Sequence, residues 1–236
     1  MKNKKLAIYL AILYVLSAFC YVSSYLLYTK KYHAQLANIS FSDIIIFIFL
    51  SAIAESFVVK YKNVGISPGF GITTAATLHF GVFWGMVIVS IGTTLRCVRF
   101  QGKTNHLFNT PVYKTLYNIS NYSISTYLGG IVFHFILNRN YTTYPIYIFV
   151  QYISFVILFL MVNTLIISIL VVILSQTNFF DIFSYHLRIG FLNIVYASPF
   201  GILLLFLYNS NNILGILVTL LVIITSRYIF KLYLLD

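Results

Sequence analysis

The sequence predicts an all-α protein: a polytopic transmembrane helical bundle of about seven to eight membrane segments, including a short Gly-rich helical hairpin. Only 8% of the 236 residues are charged and 60% are apolar, whereas a soluble domain carries about 25% charged residues. Several apolar runs, such as 152–173, approach or exceed the roughly 20 residues that a helix needs to cross the hydrocarbon core. A β-barrel would show short alternating segments instead.

We interpret the whole chain, 1–236, as a single integral-membrane domain. Ser42 or Asp43 is suited to cap the second helix at its N-terminus. The segments are 6–28, 43–60, 66–79, 81–95, 113–137, 146–175, 188–208 and 212–232.

The stretch 66–95 decides the topology. As one helix it would be about 45 Å long, well beyond a core of about 30 Å, whereas two pieces meeting near His79–Gly81 would each be about 22 Å long. The positive-inside rule favours two pieces. With a cytoplasmic N-terminus, three basic residues are then outside, Lys30, Lys31 and Arg139, and twelve are inside: Lys2, Lys4, Lys5, Lys60, Lys62, Arg96, Arg99, Lys103, Lys114, Arg188, Arg227 and Lys231. The sequence therefore predicts a multi-pass protein of the cell membrane with both termini in the cytoplasm.

The net charge of +11 does not indicate nucleic-acid binding, because the basic residues lie at the ends of apolar runs, where Lys and Arg flank transmembrane helices. Cys20 and Cys97 lie on different segments and belong to no metal-ligand cluster, so we expect packing residues, no metal site and no cofactor. With four acidic residues and no Gly-x-Ser-x-Gly or HExxH motif, we expect no catalytic residues and no enzyme.

Glu55 is the only acidic residue inside an apolar run. An ionisable residue within the membrane suggests a functional site. Glu55 also lies only five residues before Lys60, so it is close to the cytoplasmic end of its helix. Two interpretations remain open: a structural pair with Arg96 or Arg99 or a lipid headgroup, and a ligand, ion or proton site.

Asn118, Asn121 and Ser125 have i, i+3, i+7 spacing and share about one helix face, which must look into the bundle because amides in lipid need partners. Asn163 could join the same interior, and His79 at the hairpin tip could sense pH. Interhelical hydrogen bonding and a polar ligand pocket are both compatible with this face. The candidate ligand-binding set is therefore Glu55, His79, Asn118, Asn121, Ser125 and Asn163.

Two stretches, Gly65–Gly81 and Lys114–Ser125, resemble the multi-pass membrane sensor regions of the MASE type. Those regions precede HD-GYP phosphodiesterase or GGDEF cyclase domains in bacterial signal transduction. The segment Lys114-Thr-Leu-Tyr-Asn-Ile-Ser is similar to the family's Lys-x-x-Phe-Asn-x-(Ala/Ser) helix, with Tyr117 in the aromatic position. Glu55 lies where such a region is expected to carry an acidic residue.

The resemblance implies a membrane-embedded sensory or ligand-recognition module that relays a signal to a cytoplasmic HD-GYP or GGDEF effector or to a homodimer partner. Such proteins continue into the effector, whereas this sequence ends at Asp236 and contains no HD, GYP or GGDEF residues. The resemblance therefore implies an excised sensor or a stand-alone relative.

Two other classes stay open. The first is a small-molecule transporter, such as the substrate-binding subunit of an energy-coupling-factor importer. Ala7 and Ala11 give one step of the docking motif of those subunits, but Val15 follows, and eight segments exceed the six expected. The second is a non-catalytic membrane scaffold that binds only other membrane helices.

Overall fold

The computed structural model describes residues 2–32, 40–61, 64–100, 103–136, 145–210 and 212–234. Eight helices contain most of these residues, which confirms the all-α class. The helices are α1 (Lys2–Tyr32), α2 (Phe41–Ser56), α3 (Gly69–Phe80), α4 (Val82–Leu95), α5 (Val112–Ile136), α6 (Pro145–Ser175), α7 (Phe179–Ser210) and α8 (Asn212–Leu234). Residue 137 of the predicted segment 113–137, and the basic residues Lys62 and Arg139, lie outside the described residues.

Two small antiparallel sheets accompany the helices. Strand β1 (Val59–Tyr61) pairs with β2 (Val64–Ile66) between α2 and α3, and β3 (Val98–Phe100) pairs with β4 (Lys103–Asn105) between α4 and α5. The sequence does not predict either hairpin, because a strand of three residues gives too short a hydrophobic alternation to recognise.

Three helices within the described residues are long and apolar enough to cross a membrane: Lys4–Tyr28 of α1, Tyr152–Ser175 of α6 and Phe179–Tyr208 of α7. The outer surface of the bundle is rich in large apolar side chains, including Ile12 and Phe19 of α1, while the hydroxyls of α3 and α5 are mostly buried. An apolar exterior around a hydroxyl-bearing interior suits a protein whose solvent is lipid.

The stretch 66–95 contains two helices, not one, and the break is at Gly81; Ile66 belongs to β2, so the first helix begins only at Gly69. Gly81 has φ +90° and ψ 169°, a conformation that is essentially restricted to glycine. The two pieces, α3 and α4, have 12 and 14 residues, so they are about 18 and 21 Å long. They pack closely because a Cβ on Gly85 would lie 2.2 Å from Thr77 Oγ1.

Helices that follow one another along the chain run in opposite directions through the bundle. At one end, named here the basic end, α2 and α4 finish and α5 begins with Arg96, Arg99 and Lys114 nearby. At the other end, named the turn end, the Gly81 turn lies against Tyr28 near the end of α1, and Trp84 Nε1 donates a hydrogen bond of 2.8 Å to Tyr28 Oη.

The last helices follow the same alternation. Tyr208, near the end of α7, packs its ring against His79 at the turn end, with 5.0 Å between centroids. Helix α8 begins beside it, because a Cβ on Gly215 would lie 2.6 Å from Tyr208 N. Tyr9, near the beginning of α1, donates a hydrogen bond of 2.7 Å to Ile166 O in the second half of α6. The first residues of α1 and the last of α8 therefore lie toward the same, basic end.

Two predicted segments need correction. Segment 43–60 is helical only to Ser56. Ser56 Oγ donates to Ala52 O and accepts a hydrogen bond of 2.8 Å from Cys97 N, so the end of α2 is in contact with the residues that follow α4. Segment 188–208 starts too late, because α7 begins at Phe179. Asn178 caps it, with Oδ1 accepting a hydrogen bond of 3.1 Å from Phe180 N.

Candidate functional site

A polar cleft of about 370 Å³ opens at the basic end of the bundle. Its walls come from the ends of α2 and α4, the beginning of α5, the middle of α7 and the segment between β4 and α5. The volume falls within the range of about 300–1,000 Å³ that is usual for small-molecule sites. The lining residues are Glu55, Val58, Ser67, Thr93, Thr94, Arg96, Val98, Asn105, His106, Leu107, Thr110, Lys114, Thr115, Asn118, Tyr122 and Asn193.

Glu55 and Arg96 form an ion pair in the wall of this cleft. Arg96 Nη1 lies 3.6 Å from Glu55 Oε2, and the Glu55 side chain is 2% exposed while that of Arg96 is 29% exposed. Arg96 is therefore one of the two arginine partners that the sequence suggested for Glu55. The pair also lines the cleft. The structural interpretation of Glu55 and the ligand-site interpretation are therefore compatible with each other.

Gly69 makes room for the Glu55 carboxylate. A Cβ added to Gly69 would lie 2.1 Å from Glu55 Oε1, so only glycine allows the carboxylate to rest on the start of α3. Glu55 Oε1 is buried and has no hydrogen-bond partner within the described part of the chain. A buried carboxylate oxygen without a donor is costly, so this atom is an acceptor that a bound molecule or water can satisfy.

Three polar side chains of the cleft are available as hydrogen-bond donors. Asn193 Oδ1 accepts a hydrogen bond of 3.2 Å from Ser67 N, which leaves its amide nitrogen as a donor. His106 Nδ1 accepts from Phe108 N at 3.2 Å, so Nε2 carries the ring proton of the neutral imidazole. Lys114 is exposed at the mouth of the cleft. The cleft thus contains one carboxylate, two permanently charged cations and two neutral N–H donors.

The predicted polar face of α5 does turn into the bundle. Asn121 and Ser125 are buried, and Asn118 is half-buried in the cleft wall. Ser125 Oγ donates to Asn121 O at 2.8 Å within the helix, and Asn121 Oδ1 has no partner among the residues described. Only Asn118 of this face therefore belongs to the cleft, while Asn121 and Ser125 lie deeper in the bundle.

His79 and Asn163 are placed away from the cleft. His79 is exposed at the turn end, where its ring packs against Phe80 and Tyr208. It is ten residues along α3 from Gly69, or about 15 Å along the helix axis. Asn163 is half-buried on α6 and does not line the cleft. The structure thus brings together Glu55 and Asn118 of the candidate set and separates His79 and Asn163 from them.

A second polar cluster lies in the interior between α1, α4 and α5. Tyr21 Oη contacts Ser90 Oγ and donates to Met86 O at 3.1 Å, and Ser123 Oγ lies 3.0 Å from Ser90 Oγ. Its hydroxyls satisfy one another and a backbone carbonyl. This cluster therefore links three helices through hydrogen bonds between their hydroxyl groups.

Sequence reasoning missed several cleft residues. Asn193 offered a usable signal, because an amide within the apolar run of α7 needs a polar partner. The prediction began that helix at Arg188, which made Asn193 look like part of a helix end. His106 lies outside the apolar runs, where a polar residue is ordinary, so nothing in the sequence marked it. Lys114 begins the motif that resembles the sensor family, but nothing in the sequence indicated that its side chain would share a site with Glu55.

No protein-family model, curated protein or solved structure matches this chain. The chemistry of the cleft therefore has to be inferred from its own residues. A partly enclosed site with one buried carboxylate, two cations and amide donors is suited to bind and orient a small polar molecule.

Proposed function

We propose that the protein is a bacterial membrane-embedded sensory or ligand-recognition module that relays a signal to a cytoplasmic effector domain or partner. The proposal agrees with the resemblance to sensor regions of the MASE type. The observation that carries it is the cleft at the basic end, because its walls belong to α2, α4, α5 and α7 at once. A molecule bound there touches four helices, so its binding can change how those helices sit against one another.

The contacts of α7 offer a route from the cleft to the last helix. Asn193 of α7 lines the cleft and is held by Ser67 N at the beginning of α3. One turn further along, a Cβ on Gly71 of α3 would lie 2.3 Å from Ala197 O of α7, so the two backbones touch. Helix α7 in turn packs against α8 beside Gly215. A shift of α3 is therefore passed to α7 and α8 through backbone contacts, which cannot yield as flexible side chains do.

In the proposed orientation all eight helices are membrane segments, α3 and α4 form a short hairpin, and the basic end faces the cytoplasm. This orientation is the one that the positive-inside rule favours. Both termini are then cytoplasmic, and the cleft opens toward the cytoplasm.

Chemical cross-linking in native membranes, followed by purification of the full chain and identification of the cross-linked partner, tests the proposal. A partner with an HD-GYP or GGDEF domain supports it. In proteoliposomes, we then expect Asn193→Leu to change cyclic-dinucleotide turnover by the complex about fivefold or more, as for a typical allosteric coupling. Asn163→Leu is the matched control, because it also replaces an amide in an apolar helix but lies outside the cleft. Equal turnover in both variants would contradict the relay.

A transporter is the second candidate. Ala7 and Ala11 are exposed on α1 together with Val15, so small residues are available on its outer face for docking against another membrane protein. A coupling protein with its ATPases in the cross-linked complex would support transport rather than sensing. A scaffold would show membrane partners but no ligand that raises the thermal stability of the chain.

A further inference from the structure

We propose that the cleft binds a phosphodiester that carries hydroxyl groups, the chemistry of a glycerol phosphodiester. This inference rests on the proposed function, since it names the class of ligand that the sensory site would take. Two sources offer this chemistry: the headgroup of an anionic phospholipid and a soluble phosphodiester.

The charge of the cleft indicates a monoanion. Arg96 and Lys114 are its two fixed cations, and Glu55 is its one carboxylate. Glu55 occupies one edge of Arg96 at 3.6 Å, while the guanidinium has five N–H donors in all. Lys114 has no ion-pair partner among the residues described. The surplus of one positive charge matches a phosphodiester, which has one negative charge, and Arg and Lys are the side chains that bind phosphate.

The neutral donors fit phosphate oxygens as well. Asn193 presents its amide nitrogen because Ser67 N holds its oxygen, and His106 presents Nε2–H because Phe108 N holds Nδ1. Charge-assisted hydrogen bonds from neutral N–H groups to an anionic oxygen are stronger than bonds between neutral groups. The cleft thus offers an anion neutral N–H donors in addition to its two cations.

Glu55 Oε1 accounts for the hydroxyl groups in the proposal. Glu55 lines the cleft, and its Oε1 is buried and has no hydrogen-bond partner within the described residues. A phosphate oxygen cannot satisfy it, because phosphodiester oxygens only accept hydrogen bonds. A hydroxyl next to the phosphate can donate to it while the phosphate is held by the cations. One buried acceptor in a cleft with several donors therefore indicates a ligand that carries both a phosphodiester and a hydroxyl group.

The test measures thermal stability of the full chain in a maltoside detergent, which contains no phosphate, after removal of bound lipid. The soluble probe is glycerophosphoglycerol and the lipid probe is phosphatidylglycerol in mixed micelles. Dimethyl phosphate has no hydroxyl, and sodium acetate is a carboxylate control of equal charge. We expect glycerophosphoglycerol, phosphatidylglycerol or both to raise the thermal stability of the chain in a saturable manner. A response to glycerophosphoglycerol would show that the soluble phosphodiester is sufficient for binding. A response to phosphatidylglycerol alone would show that the ligand is the lipid.

Two variants connect the response to the cleft. Lys114→Gln should raise the half-saturating concentration at least tenfold, while Lys5→Gln, the same charge change at an exposed position on α1 outside the cleft, should leave it within twofold. Glu55→Gln should remove the preference for glycerophosphoglycerol over dimethyl phosphate. Lys114 is exposed, so its replacement does not disturb the core.

Stabilisation by acetate equal to that by glycerophosphoglycerol or phosphatidylglycerol would overturn the assignment of phosphate. Lack of saturable stabilisation by both glycerophosphoglycerol and phosphatidylglycerol, or equal weakening in Lys5→Gln and Lys114→Gln, would overturn the site. The binding assay needs no partner protein, so its failure is separate from a failure of the cross-linking experiment. Phosphodiester binding by a chain that has no effector partner would contradict the sensory function and leave the ligand class standing.

Discussion

At the scale of single residues, Glu55 and Arg96 depend on each other. The Glu55 side chain is almost fully buried, while Arg96 is partly exposed and can reach solvent. Removing the arginine leaves a buried carboxylate without its cation, whereas removing the carboxylate frees an arginine that water can still solvate. The two substitutions should therefore differ in their effect on stability.

We expect Arg96→Met to lower the free energy of unfolding in detergent by about 2–4 kcal/mol, because it strands a buried charge. Glu55→Gln should lower it by only about 1 kcal/mol, since the amide keeps the volume and some hydrogen bonding. In the double variant the losses should not add, with a coupling energy of about 1–3 kcal/mol. Equilibrium unfolding of the three variants measures this cycle.

Arg99→Met is the control for the cycle, because Arg99 is an exposed arginine on β3, three residues from Arg96. It should change stability by no more than about 0.5 kcal/mol. Additive effects of Glu55→Gln and Arg96→Met would show that the pair contributes nothing to the fold.

Glu55 was recognisable in the sequence because it is the only acid within an apolar run. Its exact environment was not, since Gly69 and Arg96 reach it from α3 and the end of α4. The sequence suggested Arg96 and Arg99 equally as partners. The β3 strand, which follows directly after Cys97, separates the two: Arg99 is exposed on the strand, and Arg96 lines the cleft.

At the scale of elements, the crossing of α3 over α7 depends on a pair of glycines. A Cβ on Gly71 would meet Ala197 O at 2.3 Å, and a Cβ on Gly201 would meet Gly71 O at 2.6 Å. Both contacts are with backbone atoms, which can move only if the helices separate. At this crossing, backbone atoms of α3 and α7 are therefore in direct contact.

Gly71→Ala should destabilise the protein by about 2 kcal/mol or more, since added volume in a packed site forces backbone shifts. It should also weaken any effect of cleft ligands on the proposed effector, because α3 and α7 then sit farther apart. The two measurements are thermal unfolding of the chain and cyclic-dinucleotide turnover by its complex with that proposed effector.

Gly190→Ala is the matched control on α7. The nearest atom to its added Cβ would be Leu160 Cδ1 at 2.4 Å, the far end of a flexible side chain. We expect little change or a small gain, because alanine is favoured over glycine in helices by about 1 kcal/mol. A loss in Gly190→Ala as large as that in Gly71→Ala would show that backbone contact is not what matters.

The helices were easier to predict than their junctions. The apolar runs are long enough to indicate helices, and the length of 66–95 together with the charge distribution indicated a break near Gly81. The hairpins β1–β2 and β3–β4 were not predictable. Each is only three pairs long, and such pairs are stable only when the surrounding helices hold them.

At the scale of the whole molecule, the proposed orientation can be tested with a native cysteine. Cys97 is exposed at the basic end, two residues after the end of α4, and Cys20 is buried within α1. In the proposed topology Cys97 faces the cytoplasm. A membrane-impermeant maleimide should therefore leave Cys97 unlabelled in intact cells and label it in inverted membrane vesicles.

Ser40→Cys in a Cys97→Ser background is the control for this experiment. Ser40 is exposed and precedes α2 at the opposite end of that helix from Glu55, so its cysteine should show the reverse pattern. Labelling of Cys97 in intact cells, with Ser40→Cys protected, would invert the orientation and place the cleft outside. Labelling of Cys97 and of the cysteine in Ser40→Cys from the same side of the membrane would show that α2 does not cross it.

The sequence by itself determined that this is an all-α chain with apolar helices, a break in the stretch 66–95 and a buried acid near one end. Those properties follow from local composition and length, which the chain carries residue by residue. Only the tertiary structure decided that Glu55, Arg96, Lys114, His106 and Asn193 share one cleft, while His79 and Asn163 lie elsewhere. The physical reason is that a site made from four helices depends on where glycine allows backbones to touch and on which helices lie side by side, and spacing along the chain does not encode either.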